Sequence, residues 1–138
     1  AQVGPKGRVL AFEPSKMIFP RLVEVVEKNE LSQVECFNLG CGTGSRTETL
    51  MVPASSGNAT IKREGVILQG PVREVTIEIE SLDNIALPLI SRLDFLKIDT
   101  EGFEDQVLMG AEQLVSRFQP VIYIELCQEY GESSARSI

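Results

Sequence analysis

The 138-residue sequence contains no histidine, which excludes a Ser-His-Asp triad and histidine metal sites, so any base must be Asp, Glu, Lys, Tyr or Cys. Its cysteines, Cys36, Cys41 and Cys127, are odd in number and form no Cys-x-x-Cys pair, so neither a disulfide framework nor a zinc knuckle is indicated. Cys36 and Cys127 lie in or beside apolar strands and read as small core residues, while Cys41, inside a glycine-rich stretch, reads as more exposed. Basic side chains are few: 13 Lys and Arg against 20 Asp and Glu leave a net charge of −7, scattered without a basic patch for nucleic acid. No apolar run reaches the ~18 residues that cross a bilayer, and residues 1–6 carry neither the basic nor the apolar region of a secretory signal. No metal, nucleic acid or membrane is expected as a partner, and the expected location is cytoplasmic, in a reducing compartment.

What is present is an apolar fraction of 43%, enough for a single domain over residues 1–138 with a real core. Strand-like and helix-like segments alternate as in α/β folds, without internal repeats or low-complexity tracts. Strands are predicted at residues 8–12, 34–37, 47–52, 73–80, 94–98 and 121–126, and main helices at 15–29 and 104–118. Residues 74–80 alternate strictly, with Val75, Ile77 and Ile79 on one face against Glu74, Thr76, Glu78 and Glu80. That pattern predicts a half-exposed antiparallel strand paired with residues 47–52. Residues 53–71 read as a loop, Ser81 to Asn84 as a short capped turn stopped by Pro88, and residues 127–138 as a frayed tail.

Two acidic strand ends carry the signal for a site. The stretch Phe95-Leu96-Lys97-Ile98-Asp99-Thr100-Glu101-Gly102-Phe103-Glu104 predicts a buried strand that Asp99 ends and a tight turn that Gly102 permits. Val107, Leu108, Ala111, Leu114, Val115 and Phe118 then recur with helical spacing. Asp99, Glu101 and Glu104 thus gather where a strand passes into a helix, the carboxyl edge at which open α/β sheets bind ligands. Glu101 and Glu104 also fit plain charge complementarity at a helix start. Lys97 shares a strand face with Phe95 and Asp99, and either pairs with Asp99 or extends its ammonium to solvent. Glu125 ends another apolar strand, facing either the cleft or the sheet edge.

The second strand end is Glu13, followed by Pro14. Ser15 is placed to cap the next helix, with Pro20 in its early part, Leu22, Val23, Val25 and Val26 as apolar residues, and Asn29 at its close. An acid closing a strand is how nucleotide sites hold ribose hydroxyls.

In this order the segments resemble the FkbM-type family of S-adenosylmethionine-dependent methyltransferases. The matching pieces are VLAFEP from Val9, Leu39-Gly40 after a strand, Ser81-Leu82-Asp83, DFLKIDTEGFE from Asp94, VLMGA from Val107 and PVIYIEL from Pro120. The resemblance implies an α/β fold, a partial Rossmann-like class I methyltransferase sheet with flanking helices and an antiparallel strand pair. It implies S-adenosylmethionine as cofactor and O-methylation of a small molecule or sugar. Glu13 with Pro14 would hold the ribose, and Asn38, Leu39 and Gly40 would border the adenine. Asp99 would lie at the methionine end or the acceptor, with Glu101 as base and Glu104 as a helix cap. The family's Asp-x-Gly-x-Asn-x-Gly turn does not occur in residues 1–7, so the chain reads as an internal piece or a shortened relative of a larger domain. Weak cofactor binding follows from that, as do open strand edges that make a homo-oligomer the expected state.

The stretch Asn38-Leu39-Gly40-Cys41-Gly42-Thr43-Gly44 imitates a cofactor loop, whose glycines let backbone approach a ligand. Asn38 replaces the usual acid, a strand-like segment follows instead of a helix, and about twenty residues on Glu64 lies in a polar loop. The stretch is therefore expected to be a turn near the adenine end. Three functions stay open: a methyltransferase, a noncatalytic relative serving as a binding or assembly module, and a different nucleotide-binding α/β enzyme built around residues 40–44.

Overall fold

The computed structural model describes residues 3–4, 6–54, 59–62 and 70–125. β1 (Val9–Phe12) and β2 (Val34–Phe37) run parallel from Val9↔Val34 to Phe12↔Phe37, with the rings of Phe12 and Phe37 stacked 5.0 Å apart. A parallel pair requires a crossover, and α1 (Phe19–Lys28) supplies it. The helix begins later than residue 15, because residues 16–18 form a turn in which the Ser15 carbonyl accepts N–H bonds from Ile18 and Phe19. Ser15 therefore does not cap it. Pro20 sits in its first turn, where a missing N–H costs nothing, and Asn29 closes it as expected, its Nδ2 donating to the Val25 carbonyl at 2.7 Å.

β4 (Arg46–Pro53) and β6 (Val72–Glu80) form the expected antiparallel pair over their whole length, Arg46↔Ile79 to Pro53↔Val72. Ile77 and Ile79 on the inward face of β6 are buried, whereas Glu74, Thr76 and Glu78 are exposed, so the alternation sets the faces. Two short strands extend this sheet to the order β3-β6-β4-β5: β3 (Gly40–Cys41) lies parallel to β6, and β5 (Thr60–Ile61) antiparallel to β4. The stretch 53–71 thus contains a strand whose two residues are both buried, rather than being loop throughout. Residues 55–58 and 63–69, including Glu64, lie outside the described residues, as do Leu126, Cys127 and the rest of the tail.

β7 (Phe95–Ile98) and β8 (Val121–Ile124) make a second parallel pair. Among the described residues the strands form three separate sheets, and no strand bonds the β1–β2 pair to the β7–β8 pair. Leu96, Ile98, Ile122 and Ile124 pack on the core, while Phe95, Val121 and Tyr123 on the opposite face are 51%, 65% and 52% exposed. Parallel sheets are normally covered on both faces, and among the described residues this one is covered on one.

Three helices complete the fold: α2 (Leu82–Ala86), α3 (Glu104–Met109) and α4 (Glu112–Phe118). The capped turn at Ser81 is α2, with Ser81 Oγ accepting from the Asn84 N–H at 3.2 Å. The single helix expected over 104–118 is broken at Gly110 and Ala111. Its break is held from outside: the buried Asp83 carboxylate accepts the N–H groups of Gln113 at 3.0 Å and Leu114 at 2.9 Å, while the Asp83 N–H donates to the Gly110 carbonyl at 2.9 Å. Asp83 thus performs for α4 the capping that Ala111 cannot. The core joins Leu50, Ile61, Ile77, Ile79, Leu82, Ile98, Phe103, Val107 and Leu114 across these elements.

Candidate functional site

The first acidic group lies at the ends of β1 and β2. Glu13 is half-buried beyond β1; its Oε1 accepts the Ser15 N–H at 2.7 Å, and its own N–H donates to the Phe37 carbonyl at 3.0 Å. Asn38, one residue beyond β2, donates Nδ2 to the carbonyls of Glu13 at 2.8 Å and Pro14 at 3.2 Å, locking the two strand ends together. A Cβ on Gly40 would stand 3.4 Å from Pro14 Cβ, which brings that glycine to the same corner. Leu39 is half-buried between Asn38 and Gly40. Burial raises the Glu13 pKa above the ordinary glutamate value, and the Ser15 N–H bond offsets this only in part. Ser15 Oγ is buried without a hydrogen-bond partner among the described residues. The structure thus gathers Glu13, Pro14, Asn38 and Gly40, and adds Ser15, which the sequence suggests only as a cap.

Gly40 and Gly42 serve internal packing, whereas Gly44, at φ 153°, has no close neighbour among the described residues. A Cβ on Gly40 would overlap Ile79 Cδ1, and one on Gly42 would meet Ile79 Cγ2 at 2.8 Å and Phe103 Cε1 at 3.2 Å. A Cβ on Gly110 would overlap the Gly42 carbonyl, so two glycines 68 positions apart in sequence permit one close backbone contact between the 42–45 bend and the α3–α4 break. Cys41, expected to be exposed, packs against the core, and burial pushes its thiol up to about 12. Such a thiol is not a nucleophile.

The second acidic group follows β7. Lys97 Nζ lies 2.6 Å from Asp99 Oδ2 and 3.9 Å from Glu125 Oε2. Lys97 pairs with Asp99 and also reaches solvent, so both sequence expectations for it are met. The hydrogen bond to Asp99 raises the Lys97 pKa, aided by the charges of Asp99 and Glu125, though the ammonium is fully exposed. Beyond Asp99 the backbone enters the left-handed region at Glu101 (φ 52°) and Gly102 (φ 95°).

Glu104 was expected to cap its helix, but the N-cap of α3 is Phe103 and Glu104 turns back into the preceding loop. Its Oε1 accepts from the Gly102 N–H at 2.8 Å, the Thr100 N–H at 3.3 Å and the Thr100 hydroxyl at 3.1 Å. At 3% exposure this carboxylate is a turn organiser, and its Oε2 is buried without a partner among the described residues. Thr60, 1% exposed on β5, donates its hydroxyl to the Glu101 carbonyl at 2.8 Å from 41 positions away. No sequence signal pointed to Thr60. For Asp83 the signal was its place in the Ser-Leu-Asp match, and for Gly110 a glycine inside a helical pattern.

No hydrogen bond among the described residues joins the Glu13 group to the Asp99–Glu104 turn, and no cluster of three or more His, Cys, Asp or Glu is arranged there to hold a metal ion. No helix among the described residues is long and apolar enough to cross a membrane.

Acids stand at the ends of the parallel strands β1 and β7 of an α/β chain, each tied into a structured turn. A family model of the Methyltransferase FkbM domain matches residues 1–136, and the chain belongs to the FkbM methyltransferase family. "Methyltransferase 1" of Beauveria bassiana (strain ARSEF 2860) is 26% identical over 147 residues, an alignment covering 93% of this chain and 58% of that protein. The chain therefore spans little more than half the length of this curated relative. The crystal structure of Methyltransferase FkbM from Methylobacillus flagellatus KT matches with a TM-score of 0.57 at 21% identity, covering 85% of this chain and 25% of that one, a likeness of fold.

Proposed function

We propose that the chain is part of an S-adenosylmethionine-dependent methyltransferase that methylates oxygen on a small molecule or sugar, with the two acidic strand ends as its site in a Rossmann-like arrangement. The observation that carries this reading is the corner of Glu13, Pro14 and Asn38 in a chain of the FkbM family. The donor set there suits a vicinal diol. Glu13 commits one carboxylate oxygen to Ser15 N–H and keeps the other for hydroxyl donors, and the buried Ser15 hydroxyl lacks a partner.

S-adenosylmethionine, when bound, supplies an already activated methyl group. What remains for the protein is to orient the acceptor and remove its proton. Glu101, half-exposed in its left-handed turn, is the proposed base. Asp99, fixed by Lys97, is proposed to orient the methionine end or the acceptor. Glu13 holds the ribose, and Leu39 with Gly40 borders the adenine.

Calorimetric titration with S-adenosylmethionine tests the reading. Weak, saturable binding is expected, lowered about tenfold or more in Glu13→Gln, the scale of one hydrogen bond to a charged group at ~1.5–3 kcal/mol. Absence of binding at millimolar ligand refutes the cofactor assignment. Binding without turnover on any hydroxylated acceptor would favour the noncatalytic binding module.

A further inference from the structure

We infer that Thr60, together with Glu104, is a positioning residue for the acidic turn: it couples the β4–β5 arm to the backbone that presents Glu101. The inference rests on the reading of Glu101 and Asp99 as the site's acids. Glu101 is a non-glycine residue at φ 52°, a conformation that disfavours a side chain and persists only where its surroundings impose it. Two buried groups impose it here, from opposite sides of the peptide chain. Glu104 Oε1 draws the N–H groups of Thr100 and Gly102 onto one oxygen, and the Thr60 hydroxyl holds the intervening Glu101 carbonyl at 2.8 Å. Both residues are almost fully buried, at 3% and 1% exposure, so water does not substitute for either bond.

Thr60 is itself fixed. It pairs with Met51 in the β4–β5 ladder, and the next strand residue, Ile61, is in the core; one position on, the Lys62 N–H donates to the Thr49 carbonyl at 2.7 Å. The hydroxyl is therefore delivered to Glu101 by a strand rather than by a free loop. β5 contributes no acid or base, yet it decides where the turn's central carbonyl sits, and with it the neighbouring Glu101 side chain.

The test uses the whole chain labelled with ¹⁵N and ¹³C and compares Thr60→Val with Thr60→Ser. Valine keeps the shape and removes the donor, while serine keeps the donor. In Thr60→Val, amide exchange at Thr100 and Gly102 is expected to rise roughly threefold to tenfold beyond any global change, the scale of one net hydrogen bond. The Glu101 side-chain carboxyl resonance should shift as well, and S-adenosylmethionine affinity should fall by a similar factor. Thr60→Ser should restore all three. Unchanged turn amides in Thr60→Val, or a Thr60→Ser that behaves like Thr60→Val, overturns the inference.

If Thr60→Val does not fold, Glu104→Gln carries the test from the other side, with faster exchange at the same two amides expected and unchanged exchange overturning it. A turn that responds as described in a chain that does not bind S-adenosylmethionine supports the positioning role and refutes the cofactor reading, so the two fail separately.

Discussion

Removing the Asp83 carboxylate should destabilise the protein without touching either acidic strand end. In Asp83→Ala the N–H groups of Gln113 and Leu114 lose their acceptor, with different consequences. Gln113 is exposed, so water replaces most of what its N–H loses. Leu114 is 2% exposed, and its N–H becomes a buried unsatisfied donor at a cost of about 1–3 kcal/mol. Loss of an N-terminal cap adds about 1 kcal/mol. The expected total is about 2–4 kcal/mol, which for a domain of this size lowers Tm by roughly 6–20 °C. Asp83→Asn keeps one carbonyl oxygen and should cost about half as much. Urea denaturation monitored by circular dichroism measures both, with an unchanged slope showing that the unfolding transition is otherwise the same. If Asp83→Ala stays within about 0.5 kcal/mol of the parent, the cap across 30 positions is not what holds the α3–α4 break.

Gly110→Ala would gain about 0.4–1 kcal/mol by stiffening the unfolded chain, since φ −78° suits alanine, yet its methyl would overlap the Gly42 carbonyl, so a net loss of about 2 kcal/mol is expected in the same denaturation assay. Burial raises the Glu13 pKa in the folded state, so the stability this residue contributes is present in acid and lost as pH rises through its folded pKa; Glu13→Gln should therefore gain on the parent between acid and neutral pH, and parallel stability curves would refute this. Asp99→Asn and Glu101→Gln should remove most methyl transfer while costing less than ~1 kcal/mol, since the Lys97–Asp99 pair is largely exposed; near-full turnover in both variants would dismiss the second acidic group as the site. Light scattering at high concentration should show a dimer or larger species, as the exposed Phe95, Val121 and Tyr123 and the edges of the parallel pairs left unpaired among the described residues favour association; a clean monomer counts against it.

Local pattern determined what local physics controls. Strict alternation over residues 74–80 specified both β6 and its buried face, because side chains in a strand alternate whatever the strand pairs with. Apolar runs ending in Glu13 and Asp99 specified β1 and β7 and the position of the acids at their ends. The matching order of these segments was enough to reach the FkbM family, which the comparison over residues 1–136 bears out.

What the sequence could not specify were partners brought together by folding. Glycines at 40 and 42 fit a ligand cradle as well as close packing by residue type alone, and their contacts with Ile79, Phe103 and Gly110 show the packing role. Helical spacing over 107–118 continues through Gly110, so the break became visible only once Gly42 and Asp83 occupied it. Glu104 fits a helix start by charge, but the Thr100 and Gly102 N–H groups lie within its reach and have no other partner among the described residues of a partly buried turn. Thr60 lies in a stretch of loop-like composition, 41 positions from the carbonyl it holds. Hydrogen-bond partners so distant in sequence leave no periodic trace, because the requirement that a buried carbonyl be satisfied arises only after the chain has buried it.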